Sequence, residues 1–550
     1  MLRSPILRRL LIAAVCSLAI LPFLWLGNPS GHDFEFHVYS WMDALAQWRQ
    51  GVVYPRWAAF PHWGYGEARF VFYPPISWML GAALGSALPW KVVPGLYCWF
   101  ALTLASAAMY RLAGQWLRPA DAVFAAVFYA LNPYHLLAVY WRSAYAELLC
   151  AALLPLLLLF VVRLNEGTWR PTLGMSLVLA GTWLTNAPAA IMIHYSAAGL
   201  ALLVAVRERS ARPLWRLALA VLLAAGLASI YLVPAIFEER WVNLAQGLSP
   251  GVRPQDNFLF TATADPDHNH FNRLVSFVAA AEITVLAGAI VFSRRERSNN
   301  VWTPLAVWGA GAAFAMFSIS NVLWRYLPRF QFVQLPFRWL LCMNIAVALL
   351  LVMATARSTI KHWIMRGLVC AMLLAVVIYG GRRTQPPWWV TGADIEEMRQ
   401  SVVDGTGNEG VDEYVPAAAD PYEVNKDLPC LSFQTGADAA TRIDDVKILA
   451  WTATEKHFQA SANGATNLTV RLFNYPAWKA TVNGREVATT TSEVTGLMIV
   501  PIAAGENDVE IRFAGTPDRW LGDSLSLLSM VVLLFAWART RPKTVSRTAK

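Results

Sequence analysis

Apolar runs of membrane length recur from one end of this chain to the other, more than a soluble fold could absorb. A helix rising about 1.5 Å per residue needs roughly 20 such residues to cross a bilayer. Runs of that kind lie near residues 6–26, 92–112, 122–140, 147–163, 171–187, 188–206, 214–236, 274–292, 301–320, 337–356, 363–380 and 521–538. Lipid offers no partner for backbone amides and carbonyls, so each run is expected to be helical. With 56% hydrophobic and 15% charged residues, and 25 tryptophans for two membrane interfaces, the chain reads as an α-helical polytopic membrane protein of about twelve transmembrane helices.

Basic residues set the expected orientation. Clusters at Arg111 to Arg118, Arg163 to Arg170, Arg207 to Arg216, Arg294 to Arg297, Arg357 to Arg366 and in the tail after Arg539 separate the apolar runs. Short basic loops stay cytoplasmic, so the net charge of +9 reads as topology and not as nucleic-acid binding. The first run follows Arg3, Arg8 and Arg9 and lacks a small-x-small cleavage site, which predicts an uncleaved signal anchor and both termini inside. The run PISWMLGAALGSALP, residues 75–89, is short and begins after Pro74. It is expected as a re-entrant or steeply tilted helix, or as a thirteenth span if it crosses.

This parity puts the first loop (27–74), the turn from Tyr134 to Glu147, the loop from Phe237 to Arg273, the stretch from Asn321 to Arg338 and a polar region (381–520) on the extracytoplasmic side. Irregular backbone near a membrane survives where it lines a wet cavity, so these segments are predicted to fold over one cavity. Residues 1–380 thus form a transmembrane domain, 381–520 an extracytoplasmic domain, and 521–550 a final transmembrane helix with a basic tail. From Val446 to Phe513, β-branched runs alternate with turn signals, including Asn483-Gly484, a dipeptide suited to two-residue hairpins. This predicts a small antiparallel β-sandwich; residues 381–445 are weakly specified, and the whole region reads as structural or lid-like. Five of six cysteines sit in or beside apolar runs, leaving Cys430, so neither a disulfide framework nor a zinc spacing is present.

The first loop concentrates titratable groups in GHDFEFHVYSW, residues 31–41. If residues 33–49 are helical, Phe34, Val38, Trp41, Leu45 and Trp48 form one apolar stripe, as on a helix lying in the interface plane. Asp33 and His37 then stand four apart, near Ser40, with Asp33 at the end where the helix dipole favours an anion. Such a pair can serve as a general base or bind a divalent cation such as Mg or Mn; it is equally a helix cap and its partner. Glu35 points away from Asp33, and His32 reads as a loop residue. Arg142, Arg325, Arg329 and Arg338 fall at span ends, where a guanidinium can grip phosphate or snorkel to headgroups. Glu147 enters an apolar run, which predicts an arginine partner or a substrate, and Glu238 follows the same logic with more water. His268-Asn269-His270, the only close histidine pair, reads as a solvated loop.

GHDFEFH, followed by GVVYPRW, GYG and FVFYPP, resembles the first outer loop of the bacterial membrane proteins called 6-pyruvoyl-tetrahydropterin-synthase-related, which are similar to C-type (GT-C) glycosyltransferases. Asp33, His37, Tyr54 to Trp57, Gly64 to Gly66 and Phe72 to Pro75 match its pattern. NPYHLLAVYWRSAYAE places Arg142 and Glu147, YLVPAIFEE places Glu238, QLPFRWL places Gln334 and Arg338, and YPAWKATVNG is similar to the family's β-domain. Where the family often has Thr-His, this chain has Thr185-Asn186.

The resemblance implies a multi-pass protein of the bacterial inner membrane that takes a sugar from a polyprenyl-phosphate donor and passes it to a glycan, lipid or protein acceptor on the extracytoplasmic face. Transfer is expected to be inverting, with Asp33 as base, His37 orienting it or helping to hold a metal, and Arg142, Arg325, Arg329 and Arg338 around the lipid phosphate. Glu147 and Glu238 would bind substrate or arginine. Tyr65 and Tyr73 would stack on sugar or order the loop, unless they anchor at the interface. The pterin reaction named in the family's label belongs to a small soluble zinc enzyme, which these spans have no evident way to house. A lipid or polysaccharide transporter, with interrupted helices at the midplane, and a non-catalytic envelope assembly factor are the alternatives.

Overall fold

The computed structural model describes residues 4–355, 360–384, 389–435, 439–442 and 446–540. Arg3, Arg357 and the basic tail beyond residue 540 lie outside them. Among the described residues eight helices are long and apolar enough to cross a membrane: Pro5–Leu26, Trp90–Ala113, Pro119–Tyr140, Ala187–Glu208, Pro266–Phe292, Pro336–Ala354, Ile360–Arg383 and Pro517–Arg539. Two bent pairs, Arg212–Leu227 with Ser229–Trp241 (76°) and Trp302–Ala315 with Ser318–Tyr326 (95°), bring the number to ten if each counts once.

Eight to ten helices of membrane length thus stand, among the described residues, where twelve or thirteen spans are expected. The run at 147–163 is a shorter apolar segment, Tyr145–Val161, and the run at 171–187 forms a 16-residue helix, Arg170–Thr185. That helix stops at Asn186, whose Oδ1 accepts the Ala189 amide at 2.9 Å and caps the next helix, while Pro188 suits only a first turn. The position that departs from the family pattern thus has a structural task. At the 76° bend, Ser526 of the final helix restores the interrupted ladder: its Oγ accepts the Ile230 amide at 2.7 Å and contacts the carbonyls of Gly226 and Leu227. Pro336–Ala354, apolar on every face apart from Arg338 in its first turn and Asn344, has 94% of its apolar window buried and forms the centre of the bundle.

The loop helix Phe34–Arg49 forms where expected, but in a different setting. Ten of its 16 residues are buried, so it runs through protein and does not lie with one face on an interface. Phe34, Val38, Trp41 and Leu45 make the apolar face, and the Trp41 ring lies so close to Gly81 that a Cβ there would sit 2.1 Å away. Gly81 belongs to the helix Pro75–Ala87, whose 13 residues are too few to span.

Among the described residues ten strands build the C-terminal domain: β1 Leu431–Thr435, β2 Ala439–Arg442, β3 Val446–Trp451, β4 Glu455–Ala462, β5 Thr466–Phe473, β6 Trp478–Val482, β7 Arg485–Val487, β8 Thr490–Thr491, β9 Leu497–Ile502 and β10 Gly505–Phe513. They build two five-stranded antiparallel sheets, β2-β1-β5-β9-β8 and β3-β4-β10-β6-β7. Their alternating apolar positions share a core that includes Phe458, Val470, Val500, Val509 and Ile511. Asn483 (φ 52°) and Gly484 (φ 75°) close the β6–β7 hairpin, as their residue types require. The β structure starts at Leu431, earlier than the expected 446, and a capping box at Thr391 and Asp394 opens an unforeseen helix, Gly392–Val403.

Trp57, Tyr65, Val71 and Phe72 of the first loop belong to the same hydrophobic cluster as the sheets. The loop and the C-terminal domain are therefore one packed unit.

Candidate functional site

Asp33 stands just before the loop helix, and the chain holds it there through backbone. Its amide donates to the Arg142 carbonyl at 2.9 Å, and the Gly31 amide donates to Ser143 Oγ at 3.2 Å. Gly31 must be glycine for this approach, since a Cβ would lie 2.4 Å from the Arg142 carbonyl carbon. Ser143 takes φ 52°, a left-handed turn that separates Arg142 from the helix beginning at Tyr145.

Around that turn the side chains form one charged chain. The Asp33 carboxylate, 38% exposed, meets Arg142 Nη2 at 3.5 Å. Arg142, almost fully buried, donates through Nη1 to Glu147 Oε2 at 2.9 Å, and Glu147 accepts from Arg338 Nε at 3.2 Å and from the Tyr134 hydroxyl. Arg338 Nη1 bonds the Val333 carbonyl at 2.8 Å and Gln334 Oε1 at 3.0 Å, and Gln334 Nε2 donates to the Gly247 carbonyl at 2.7 Å. Val333 to Leu335 is a γ-turn of the strained hand, with Gln334 at φ 64° and ψ −63°, so the arginine is aimed by backbone held against its preference. Burial works against the Arg142 charge, yet Glu147, Tyr134 and Asp33 raise its pKa above the ordinary arginine value. Two guanidiniums share one fully buried carboxylate, and Arg338 Nη2 has no partner among the described residues. The cluster is thus a cationic floor with a half-open carboxylate at its edge.

His37 does not join that carboxylate. Its ring is 2% exposed, Nδ1 has no hydrogen-bond partner, and Tyr145 (5.2 Å), Tyr73 (6.0 Å) and Trp41 (6.1 Å) surround it. Burial pulls its pKa down to about 4, so at neutral pH it is an uncharged member of an aromatic wall. Helical spacing puts the Asp33 and His37 backbones on one side, but their side chains turn to different neighbours. Asp33 is engaged by Arg142, and among the described residues no group of three or more His, Cys, Asp or Glu could hold a metal ion. Tyr73 stands in the same wall, 4.7 Å from Phe36, and burial followed by the Asp33 charge pushes its phenol well above the usual range.

The remaining candidates lie elsewhere. Arg325 is exposed and packs over Tyr326, and Arg329 is held bidentately by Glu239 at 2.8 and 3.0 Å, so neither joins the cluster. Glu238 is fully buried between Arg519 of the final helix, at 2.8 and 2.9 Å, and the Tyr475 hydroxyl, at 2.5 Å; it clamps the β-domain and does not face water. The Tyr65 hydroxyl donates to the Asn425 carbonyl at 2.6 Å and its ring packs on Phe473, which excludes sugar stacking by that face. His268 and His270 begin the helix Pro266–Phe292 and are not in a free loop; His268 Nε2 contacts the Asp256 carbonyl at 3.1 Å.

One buried group beside the site escaped the sequence reading. Glu67, fully buried, meets His62 Nε2 at 2.9 Å, Arg69 Nε at 2.5 Å and the Val411 amide at 2.8 Å, and Arg69 reaches Ser40 Oγ of the loop helix at 2.9 Å. Arg69 also covers the Phe36 ring at 4.6 Å. Its signal was the pair of opposite charges directly after the GYG motif.

No curated protein matches the chain. The chain is similar, at low identity and low TM-score, to several solved structures. ArnT from Cupriavidus metallidurans bound to undecaprenyl phosphate is 13% identical with a TM-score of 0.46, over 66% of this chain and 63% of that one. The arabinofuranosyltransferase AftD from Mycobacteria is 18% identical with a TM-score of 0.44, over 69% and 27%. The oligosaccharyltransferase AglB from Archaeoglobus fulgidus, in complex with an inhibitory peptide and a dolichol-phosphate, is 13% identical with a TM-score of 0.40, over 74% and 56%. The chain spans less than two thirds of the length of each. The profile of the family described as "6-pyruvoyl-tetrahydropterin synthase related domain; membrane protein" covers residues 70–384, more than half of the sequence, and this multi-pass membrane protein belongs to that family.

Proposed function

We propose that this protein is a glycosyltransferase of the bacterial inner membrane that moves a sugar from a polyprenyl-phosphate donor to an acceptor hydroxyl on the extracytoplasmic side. The observation that carries the reading is the half-exposed Asp33 carboxylate at the edge of the buried Arg142–Glu147–Arg338 cluster. The acceptor oxygen attacks the anomeric carbon and its proton passes to Asp33. The bond from that carbon to the phosphate oxygen breaks with inversion, and the bond's electrons leave with the lipid phosphate. The positive charge of Arg142 and Arg338 offsets the charge that develops there, in a site where water does not screen it. Tyr73, kept protonated, supplies a hydroxyl beside Asp33, and His37 shapes the wall without exchanging a proton.

The test is transfer by purified protein from a polyprenyl-phosphate sugar, wild type against Asp33→Asn and Arg338→Gln. Loss of the base is expected to lower the rate by about 10²–10⁴-fold. Full activity in a folded Asp33→Asn variant would sink the base assignment, and no transfer from any lipid-linked donor would sink the enzyme class.

A further inference from the structure

The far end of the loop helix carries a second feature. A cavity of about 770 Å³ opens between the C-terminal half of Phe34–Arg49, the helix Gly392–Val403 and the β-domain, with Arg49, Trp90, Asp404, Trp451, Lys456 and Arg471 in its lining. Arg49 is 16 residues beyond Asp33 by its number, about 24 Å along a helix, so this space is separate from the Asp33 site.

Its charge is unbalanced. Lys456 is 5% exposed, and its ammonium makes one hydrogen bond, to the Thr452 carbonyl, with no carboxylate in ion-pair contact among the described residues. Arg471 donates to the carbonyls of Leu428 (3.1 Å), Lys426 (3.0 Å) and Trp63, and its buried Nε has no partner. Arg49 is exposed, with no ion pair among the described residues. Elsewhere in the lining, Arg399 is balanced by Glu396, and Asp404 accepts from Gln400 at 2.7 Å. Three cations thus face one concave space against the single carboxylate of Asp404, an excess of positive charge among the described residues. Burying an ammonium in this way is unfavourable unless an anion arrives, and concave walls concentrate its field. The Lys456 ammonium also lies 5.0 Å from the centre of the Trp451 ring. The cavity is larger than a lone ion needs, and its indoles offer apolar surface to a ring.

We propose that this cavity is a second binding site, one that takes the carboxylate or phosphate of an acidic saccharide. The proposal does not depend on the transfer reaction, and it is tested without one. Full-length protein in detergent is titrated calorimetrically with tetragalacturonate, glucose 1-phosphate, maltotetraose and inorganic phosphate. At least one acidic sugar is expected to bind, more tightly than the neutral sugar and than phosphate. Lys456→Met and Arg49→Gln are each expected to weaken it about tenfold or more, and Asp33→Asn is expected to leave it unchanged. Arg49 is exposed, so its variant tests the site even if Lys456→Met fails to fold. Binding that survives both substitutions, inorganic phosphate binding as tightly as either acidic sugar, or no binding of either acid would overturn the proposal.

Discussion

Glu147 accepts from Arg142, Arg338 and Tyr134 at once, so a single carboxylate neutralises two guanidiniums inside the protein. Removing that charge leaves two buried cations with nothing to offset their lost hydration. Glu147→Gln is therefore expected to cost about 3–5 kcal/mol of stability, seen as a lower Tm or loss of the monodisperse peak in detergent. Asp33→Asn, at a half-exposed position, is expected to keep the wild-type Tm while losing transfer. If both variants unfold alike, the division between a structural and a reactive carboxylate is wrong. That Glu147 needed a cationic partner was legible from a carboxylate in an apolar run. Which arginine answered was not, because Arg338 lies 191 residues away.

At the scale of the element, the loop helix shows how far periodicity reaches. The apolar stripe was legible, and Phe34, Val38, Trp41 and Leu45 are all buried along it. A second, polar stripe at Ser40, Asp43 and Gln47 is buried too, and it holds the following loop. Asp43 accepts from Gln47 and from the Ala59 amide at 2.8 Å, and Gln47 donates to the Trp57 carbonyl at 2.8 Å. Burial raises the Asp43 pKa from 3.8 to about 6 and lowers that of His37 from 6.5 to about 4. The signs are opposite. Folded Asp43 keeps its proton longer than the unfolded chain does, so its contribution is full below 3.8 and is lost as pH rises through about 6. Folded His37 resists protonation, so its contribution is full above 6.5 and is lost as pH falls through about 4. Each amounts to roughly 3 kcal/mol, and over this range they largely cancel. Asp43→Asn is expected to tilt the Tm-against-pH curve upward between pH 4 and 6.5, and His37→Phe to tilt it downward; unchanged slopes in both would refute the assigned burial.

Across the whole molecule, the first loop, the β-domain and the final helix are locked together. Short β-bridges tie Asn28 to Val390, Pro61 to Asn408 and Val242 to Pro416, and Glu238 joins Tyr475 to Arg519. Arg519→Met leaves Glu238 buried with its charge unpaired and is expected to cost about 3–5 kcal/mol. Hydrogen exchange should rise first at the start of Pro517–Arg539 and around Tyr475; protection equal to wild type there would show that the clamp is not a coupling. The closeness of Gly247 to both the Glu413 carboxylate and the Gln334 amide, 2.7 and 3.4 Å from where a Cβ would stand, brings the C-terminal region to the edge of the arginine cluster as well.

The sequence by itself determined the membrane class, the loop helix and the Asn483-Gly484 hairpin, because each follows from hydrogen bonds and side-chain periods that span a few residues. The expected count exceeds the described spans at 147–163 and 171–187, where the helices Tyr145–Val161 and Arg170–Thr185 fall short of membrane length, while the bend at Ala228 depends on Ser526 of the distant final helix for its backbone partners. Only the tertiary structure decided that Arg142 and Arg338 meet Glu147, that Arg329 and Glu238 are spent on other partners, and that His37 turns from Asp33 into an aromatic wall. Charge pairing acts over a few ångströms, and its worth is set by burial; neither quantity is encoded by distance along the chain.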